Sequence, residues 1–149
     1  ALGAAFEKIR CEILCQKRDH EKLRAEVLAM RRKMRDSLGS RGNADLFDIK
    51  HDAGGLVDVE FIVQYLILAH AGDFPRLTGN LGNIALLRIA AECGLIPAAL
   101  AETVRDAYRE LRRLQHLRRL NNLDSRIAAT QVEAHTVAVR MLWQHVFGE

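Results

Sequence analysis

Residues 47–70 read FDIKHDAGGLVDVEFIVQYLILAH, and the second part of this stretch decides the fold. From Leu56 to His70 the residues are apolar on almost every side of a helix, which is typical of a helix at the centre of a bundle. Two glycines precede this segment and Ala71-Gly72-Asp73 follows it, so residues that interrupt helices mark both ends. We therefore predict one buried helix over residues 56–70, with the rest of the chain packed around it.

Apolar residues recur at helical spacing on both sides of the central segment. Upstream, we predict that residues 4–38 form one long helix or two abutting helices, with Asp19 as a possible cap between them. Residues 39–55 are rich in glycine and polar residues, which predicts a loop around a short apolar patch at residues 46–49. Downstream, the predicted helices run from Asn83, as a cap, to Cys93 with Gly94 after it, from Pro97 to about Leu120, and from Gln131 to Phe147.

The composition agrees with an all-α fold. The chain has 149 residues, of which 49% are hydrophobic, 28% charged and only 5% aromatic. This length suits one compact domain, and the balance of residue types excludes an intrinsically disordered chain. The low aromatic content favours helix over sheet. We predict a single domain over residues 1–149, a helical bundle of five to six helices whose core lies within residues 56–147.

The net charge is mild and does not by itself indicate a nucleic-acid partner. The chain has 22 Lys and Arg residues and 19 Asp and Glu residues, a formal net charge of +3. No series of aromatic residues suited to stacking on bases accompanies them, so we expect no nucleic acid. Each of two basic clusters on predicted helices is either a solvated helix face or a surface for an anion or a partner. The clusters are Arg31, Arg32, Lys33 and Arg35, and Arg109, Arg112, Arg113, Arg118 and Arg119.

The cysteines and the central segment favour a cytoplasmic protein that does not cross a membrane. Three cysteines, an odd number, do not form the disulfide framework of a secreted protein. Cys11, Cys15 and His20 lack the second pair that would complete a tetrahedral metal site, so we expect ordinary buried thiols and no metal. The most apolar stretch, residues 56–71, contains polar residues and is shorter than the about 20 residues of a membrane span.

Two adjacent glycines, Gly54 and Gly55, stand directly before the central helix. They let the backbone approach a ligand closely, and the free N–H groups of the first helical turn can hold an anion. Lys50 could add a positive charge beside them. The alternative is a tight turn with a helix cap, in which Asp58 only complements the helix dipole.

Glu60 and Gln64 are four residues apart and therefore share one face of the central helix, which is otherwise apolar. One interpretation is a structural network, in which Glu60 is hydrogen-bonded by Arg112 or His116 of a neighbouring helix. The other is that these side chains contact a ligand.

The central stretch and its flanks also carry a family pattern. It consists of Phe47-Asp48-Ile49-Lys50, Gly54-Gly55-Leu56-Val57-Asp58-Val59-Glu60-Phe61 and Gln64-Tyr65-Leu66, with Glu26-Val27, Met30-Arg31 and Lys33-Met34-Arg35 upstream and Asn83-Ile84, Leu86-Leu87 and Tyr108-Arg109 downstream. In this pattern the whole chain resembles the C-terminal helical region of the glutamine synthetase adenylyltransferases. The PII uridylyltransferases carry a similar Lys and Gly-Gly pattern, but their continuation lacks the Asp-Val-Glu-Phe and Gln-Tyr-Leu of this chain.

The resemblance implies an activity for the full-length protein. That activity transfers AMP from ATP to a tyrosine of glutamine synthetase with Mg²⁺ ions, and a second head removes the AMP by phosphorolysis. Glutamine and the PII signal protein set the direction. The expected partners are therefore glutamine synthetase, the PII protein and the upstream nucleotidyltransferase domain of the same chain.

The catalytic head of that family has a Gly-Ser segment and an Asp-x-Asp pair that holds metal ions. This chain contains a similar Gly-Ser pair at Gly39-Ser40 and a similar acidic pair at Asp58-Val59-Glu60. Residues two apart on a helix point in directions about 200° apart, so Asp58 and Glu60 cannot share an ion. We therefore expect no catalytic residue in this chain, no bound cofactor and no activity of the chain alone.

The remaining expectation concerns the start of the central helix. We expect Lys50, Gly54, Gly55 and Asp58 to face the nucleotide site of the missing head. The alternative is a regulatory module that binds the PII protein or glutamine without touching the nucleotide.

Overall fold

The computed structural model describes residues 2–38 and 44–149, and within these ranges the chain is an all-α bundle of six helices. The predicted Gly39-Ser40 segment and the first part of the predicted loop 39–55 lie outside the described residues. The helices are α1 (Leu2–Leu14), α2 (His20–Leu38), α3 (Leu56–His70), α4 (Asn83–Glu92), α5 (Ala98–Leu120) and α6 (Ala129–Phe147), with a short 3₁₀ helix at Pro75–Thr78 and two strands, β1 (Leu46–Asp48) and β2 (Arg126–Ala128).

Helix α3 is the centre of the bundle, and its bounds are those predicted from the apolar pattern. Ten of its fifteen residues are buried, because α2, α4, α5 and α6 all pack against it. The longest helix, α5, lies against α4 on one side and α6 on the other. The core therefore surrounds one helix whose start is held between α2 and α6.

The N-terminal segment forms two abutting helices with Asp19 at the junction. The Asp19 carboxylate oxygen accepts hydrogen bonds from the backbone N–H groups of Glu21 at 3.0 Å and Lys22 at 3.3 Å. This is the geometry of an N-cap and confirms the predicted role. Helix α1 itself buries no residue completely.

The small sheet was not predicted. Strand β1 pairs with β2 in antiparallel register, with Phe47 opposite Ile127. Each strand has three residues, which is too short for an alternating pattern, and the pairing joins segments about 80 residues apart. The predicted loop 39–55 therefore contains a strand, and α6 begins at Ala129 instead of Gln131 because β2 leads directly into it.

The two ends of α4 can be compared with the boundary residues predicted for it, Asn83 and Gly94. Gly94 has a φ of 78°, as expected for the left-handed residue after a helix. The predicted cap at Asn83 is wrong: Gly82 takes the cap position without a side-chain bond, and the Asn83 amide donates to the Tyr108 hydroxyl at 3.1 Å. That contact crosses from α4 to α5, so the tertiary packing overrides the local preference of asparagine.

None of the helices in the described ranges is long and apolar enough to cross a membrane.

Candidate functional site

The turn between β1 and α3 is closed by backbone hydrogen bonds. The N–H of Gly55 donates to the Asp52 carbonyl at 2.9 Å, that of Leu56 to the Ile49 carbonyl at 2.9 Å, and that of Val57 to the Lys50 carbonyl at 3.0 Å. These are the donors at the start of α3 that an anion would need. Each already has an acceptor within the turn.

The two glycines permit close approach of protein backbone. Gly54 has a φ of 90°, and a Cβ atom there would lie 2.8 Å from the Thr136 carbonyl oxygen of α6. A Cβ at Gly55 would lie 2.5 Å from the Ile49 carbonyl oxygen. Both positions require glycine because the turn folds tightly on itself and against α6.

Asp58 forms a buried ion pair behind this turn. One of its carboxylate oxygens accepts from the Arg31 Nε at 2.5 Å, and the other accepts from the Gly54 N–H at 2.7 Å. Arg31 is 1% exposed and Asp58 is 2% exposed. The Arg31 Nη2 also donates to the His51 carbonyl at 2.6 Å. One carboxylate thus joins α2, the turn and the first residues of α3.

Arg31 does not belong to a solvated helix face, because it is 1% exposed. It lies on the inner side of α2, one turn from the buried Leu28. The helical spacing to Val27 and Leu28 was the available signal for this placement. A spacing pattern cannot identify the partner of such an arginine, since Asp58 is 27 residues away.

Asp48 is a structural residue that the sequence pattern did not single out. Its buried carboxylate oxygen accepts from the N–H groups of Lys50 and His51, both at 3.0 Å, and from the Ser125 hydroxyl at 3.1 Å. These contacts begin the turn and tie it to the segment before β2. A signal was present, since aspartate often starts a turn by accepting from the backbone N–H two residues further on, as Asp48 does from Lys50.

Lys50 is exposed and opens onto a groove of about 270 Å³ between the turn, α3 and α5. We call it the Lys50 groove, and its polar lining comes from Lys50, Glu60, Tyr108, Arg112, Gln115 and Arg119. The Arg112 guanidinium lies 5.8 Å from the centre of the Tyr108 ring. The fold thus brings Lys50, Glu60 and Arg112 together, as three of the predicted site residues.

The remaining predicted partners do not converge on that groove. His116 is exposed on α5, and within residues 2–38 and 44–149 no hydrogen bond or ion pair links Glu60 to His116 or Arg112. Gln64 is exposed and lines a different, mostly apolar groove between α2 and α3. Glu60 and Gln64 lie on one face of α3, but Glu60 is next to α5 and Gln64 is next to α2.

The acidic residues of α3 do not form a metal site. Asp58 is turned towards Arg31 and Gly54, whereas Glu60 lines the Lys50 groove. Among the described residues no group of three His, Cys, Asp or Glu side chains is arranged to hold an ion. The donor set of this part of the chain therefore does not fit Mg²⁺.

The thiols and histidines near the α1–α2 junction serve local contacts. The three cysteines are free thiols, as expected, but they are half-buried, whereas the sequence predicted buried thiols. The Cys15 thiol donates to the Ala71 carbonyl at 3.4 Å. The His20 Nε2 lies 2.6 Å from the Ala69 carbonyl oxygen, and its ring is 5.0 Å from that of His70. Burial, and then the neighbouring His20, lower the pKa of His70.

Comparisons with known proteins give consistent matches over nearly the whole chain. A family model described as GlnD PII-uridylyltransferase matches residues 20–141. The bifunctional glutamine synthetase adenylyltransferase/adenylyl-removing enzyme of Aromatoleum aromaticum is 62% identical over 147 residues, which are 99% of this chain and 16% of that protein. The enzymes of the same name from Bordetella bronchiseptica and Neisseria meningitidis serogroup A are 54% and 50% identical, over 97% and 99% of the chain and 15% and 16% of their own lengths. The chain thus spans about a sixth of the length of the curated relatives it matches.

Proposed function

Because the chain belongs to the family whose shared model is described as GlnD PII-uridylyltransferase, and because its curated relatives are named bifunctional glutamine synthetase adenylyltransferases, we propose that it is the helical region beside the nucleotide site of such an adenylyltransferase. The full-length protein would transfer AMP from ATP to glutamine synthetase and remove it again, in the cytoplasm. The observation that carries the proposal is the position of Lys50, which the turn before α3 presents next to Arg112 and Arg119.

The charge of the Lys50 groove supports contact with a polyphosphate. Three cationic side chains, Lys50, Arg112 and Arg119, and one carboxylate, Glu60, line it. Such an excess of positive charge at a concave surface attracts phosphate groups and raises their local concentration. Arginine can hold a phosphate through two parallel hydrogen bonds, whereas lysine acts as a point charge. The groove therefore suits the phosphates of ATP that leave or enter a neighbouring active site.

The backbone of the turn supports a fixed position for Lys50. Its N–H donates to the Asp48 carboxylate at 3.0 Å, and its carbonyl accepts from the Val57 N–H at 3.0 Å. Gly54, Gly55 and Asp58 contribute to the nucleotide site by shaping this turn. A lysine whose main chain is held at both ends loses less freedom on binding, so preorganisation strengthens its contact.

The catalytic steps belong to other parts of the polypeptide in this proposal. ATP supplies the adenylyl group, and Mg²⁺ would neutralise its phosphates on carboxylates outside this chain. The chain's own residues bind and orient phosphate and exclude water from that side of the site. We accordingly propose that residues 1–149 alone have no adenylylating activity.

The first prediction tests Lys50 in the full-length enzyme. Lys50→Ala removes a positive charge that contacts phosphate, so kcat/KM for ATP should fall by about tenfold, equivalent to about 1.4 kcal/mol. The measurement is the initial rate of glutamine synthetase adenylylation over a range of ATP concentrations. Lys33→Ala is the matched control, since Lys33 is an exposed lysine on α2, away from the Lys50 groove.

Unaltered kinetics of Lys50→Ala would reject the contact with nucleotide. An equal loss in Lys33→Ala would also reject it, because general loss of positive charge would then explain the effect. Circular dichroism of both variants establishes that the helices are intact.

A regulatory module for the PII protein or glutamine is the second candidate. It is favoured by the apolar groove of about 330 Å³ between α2 and α3, where Met30 is 60% exposed beside Phe61. Exposed apolar surface of this kind is typical of a protein contact. Kinetics of variants in the two grooves distinguish the two functions: a Met30→Ser enzyme that keeps its KM for ATP but responds differently to PII protein or glutamine supports the regulatory module.

A further inference from the structure

A second polar groove lies on the other side of the α3 entrance, between α2 and α6. We call it the arginine groove, and its polar lining includes Arg31, Arg32 and Arg35 of α2 and Arg140 of α6, with Trp143 beside them. Its volume is about 430 Å³, whereas one water molecule occupies roughly 30 Å³. None of the residues described as lining it also lines the Lys50 groove, so the two are separate.

Arg31 has a buried nitrogen for which the described residues provide no acceptor. Its Nε donates to Asp58 and its Nη2 to the His51 carbonyl, but the Nη1 has no hydrogen-bond partner among the residues that the structure describes. The side chain is 1% exposed, and it lines the arginine groove. A buried charged donor without an acceptor is destabilising, so such groups ordinarily have one. The described residues of the groove therefore provide no hydrogen-bond acceptor for the Arg31 Nη1.

The charges around Arg31 have the sign that an anion needs. Two carboxylates line the groove, but Asp58 is engaged by Arg31, and Glu149 pairs with Arg32 at 3.0 Å. For Arg35 and Arg140, no carboxylate of residues 2–38 or 44–149 lies within ion-pair distance. Within residues 2–38 and 44–149, the hydrogen bond of Arg140 is the one that its Nη2 donates to the neutral Thr136 hydroxyl at 3.3 Å. Among the described residues, Arg35 and Arg140 thus have no anionic partner, and both line the same groove as Arg31.

The number and arrangement of donors favour phosphate over carboxylate. A carboxylate presents two oxygens in one plane, whereas a phosphate group presents three or more oxygens in a tetrahedral arrangement, which suits donors that come from several directions. In this groove the donors come from two helices, with Arg31 and Arg35 on α2 and Arg140 on α6. We propose that the arginine groove binds a phosphate group, as inorganic phosphate or as the phosphate of a small ester, between Arg31 Nη1, Arg35 and Arg140.

Arginine footprinting on the intact protein tests this site. The protein is treated with phenylglyoxal in sodium phosphate, in AMP, or in sodium chloride of equal ionic strength, and the modified peptides are quantified by mass spectrometry. Phosphate and AMP should slow modification of Arg35 and Arg140 relative to chloride. Arg88, an exposed arginine on α4, provides the internal control and should react equally in all three.

Protection by both compounds assigns recognition to the phosphoryl group alone, and protection by AMP only assigns it to a phosphate ester. Either result supports the site. Equal modification in chloride, phosphate and AMP overturns it, since the Arg31 nitrogen is then satisfied by water or by another part of the polypeptide. Protection that extends equally to Arg88 also overturns it.

A variant pair makes the test specific. Arg140→Gln removes one charged guanidinium from an exposed position, so the phosphate concentration that half-protects Arg35 should rise by about tenfold. Arg109→Gln removes an exposed arginine of α5 that does not line the groove, and should leave that concentration within about twofold. An equal response of both variants, or of neither, contradicts the proposal. These results do not depend on Lys50 kinetics, so the site stands or falls separately from the nucleotide contact.

Discussion

At the scale of single residues, the Asp58 carboxylate links three parts of the fold. It accepts from the Arg31 Nε and from the Gly54 N–H, so both of its oxygens bond within the protein. A buried ion pair contributes little net stability compared with apolar residues of the same shape. The loss of one partner is nevertheless severe, because the other charge is left without compensation. The pair therefore explains why α2, the turn and α3 keep one arrangement.

We predict that Asp58→Asn lowers the free energy of unfolding of the chain by about 3–5 kcal/mol, since it leaves the Arg31 charge buried and unpaired. The side chain keeps its size, so the effect reports charge and hydrogen bonding. Urea unfolding followed by circular dichroism measures it. Asp106→Asn is the matched control: its pair with Arg105 is largely exposed, and the loss there should be below about 1 kcal/mol. Similar losses in the two variants would contradict the structural role of Asp58.

At the scale of elements, the start of α3 depends on the shape of the turn that precedes it. Gly55 and Gly82 both stand at the cap position of a helix with extended backbone, at φ values of −93° and −73°. Their surroundings differ: a Cβ at Gly55 would lie 2.5 Å from the Ile49 carbonyl oxygen, whereas nothing lies within 4 Å of one at Gly82. The two glycines therefore form a matched pair for separating backbone crowding from helix capping.

We predict that Gly55→Ala destabilises the chain by about 1–3 kcal/mol, because the added methyl group pushes the turn away from α3. Gly82→Ala should change stability by no more than about 1 kcal/mol in either direction. Thermal unfolding of both variants, with the unchanged chain as reference, gives the comparison. If Gly55→Ala is as mild as Gly82→Ala, crowding against the Ile49 carbonyl is not what makes the turn require glycine.

At the scale of the whole molecule, His70 connects the N-terminal helices to the core. It is the last residue of α3, and its ring meets that of His20, the first residue of α2. Burial and then His20 lower the pKa of His70, while Asp73 opposes them. Because the folded state binds this proton less tightly than the unfolded state, the contribution of His70 to stability is complete at higher pH. It decreases as the pH falls below about 6.5.

We predict that stability decreases between about pH 7.5 and pH 5.5 and that part of this decrease is absent in His70→Gln. The measurement is the urea midpoint of both proteins across this range, in which contributions common to the two cancel. His145→Gln, at an exposed position on α6, should retain the slope of the unchanged chain. A His70→Gln slope equal to that of the unchanged chain would show that His70 does not carry the effect.

The local sequence determined the family, the all-α class and most of the helices of this protein. Helix α3 follows its apolar pattern from Leu56 to His70, and Asp19 caps α2, because helical periodicity and capping depend on residues within a few positions of one another. The diverging directions of Asp58 and Glu60 follow from the same local geometry.

Only the tertiary structure decided the rest, because it depends on contacts between residues far apart in the chain. The β1–β2 pairing, the burial of Arg31 against Asp58 and the bond from Asn83 to Tyr108 each join different elements. The same applies to the separation of Glu60 and Gln64 into two grooves. A helix pattern states which side of α2 or α3 is apolar. Which neighbour covers that side, and which charges meet there, follows only when the helices pack.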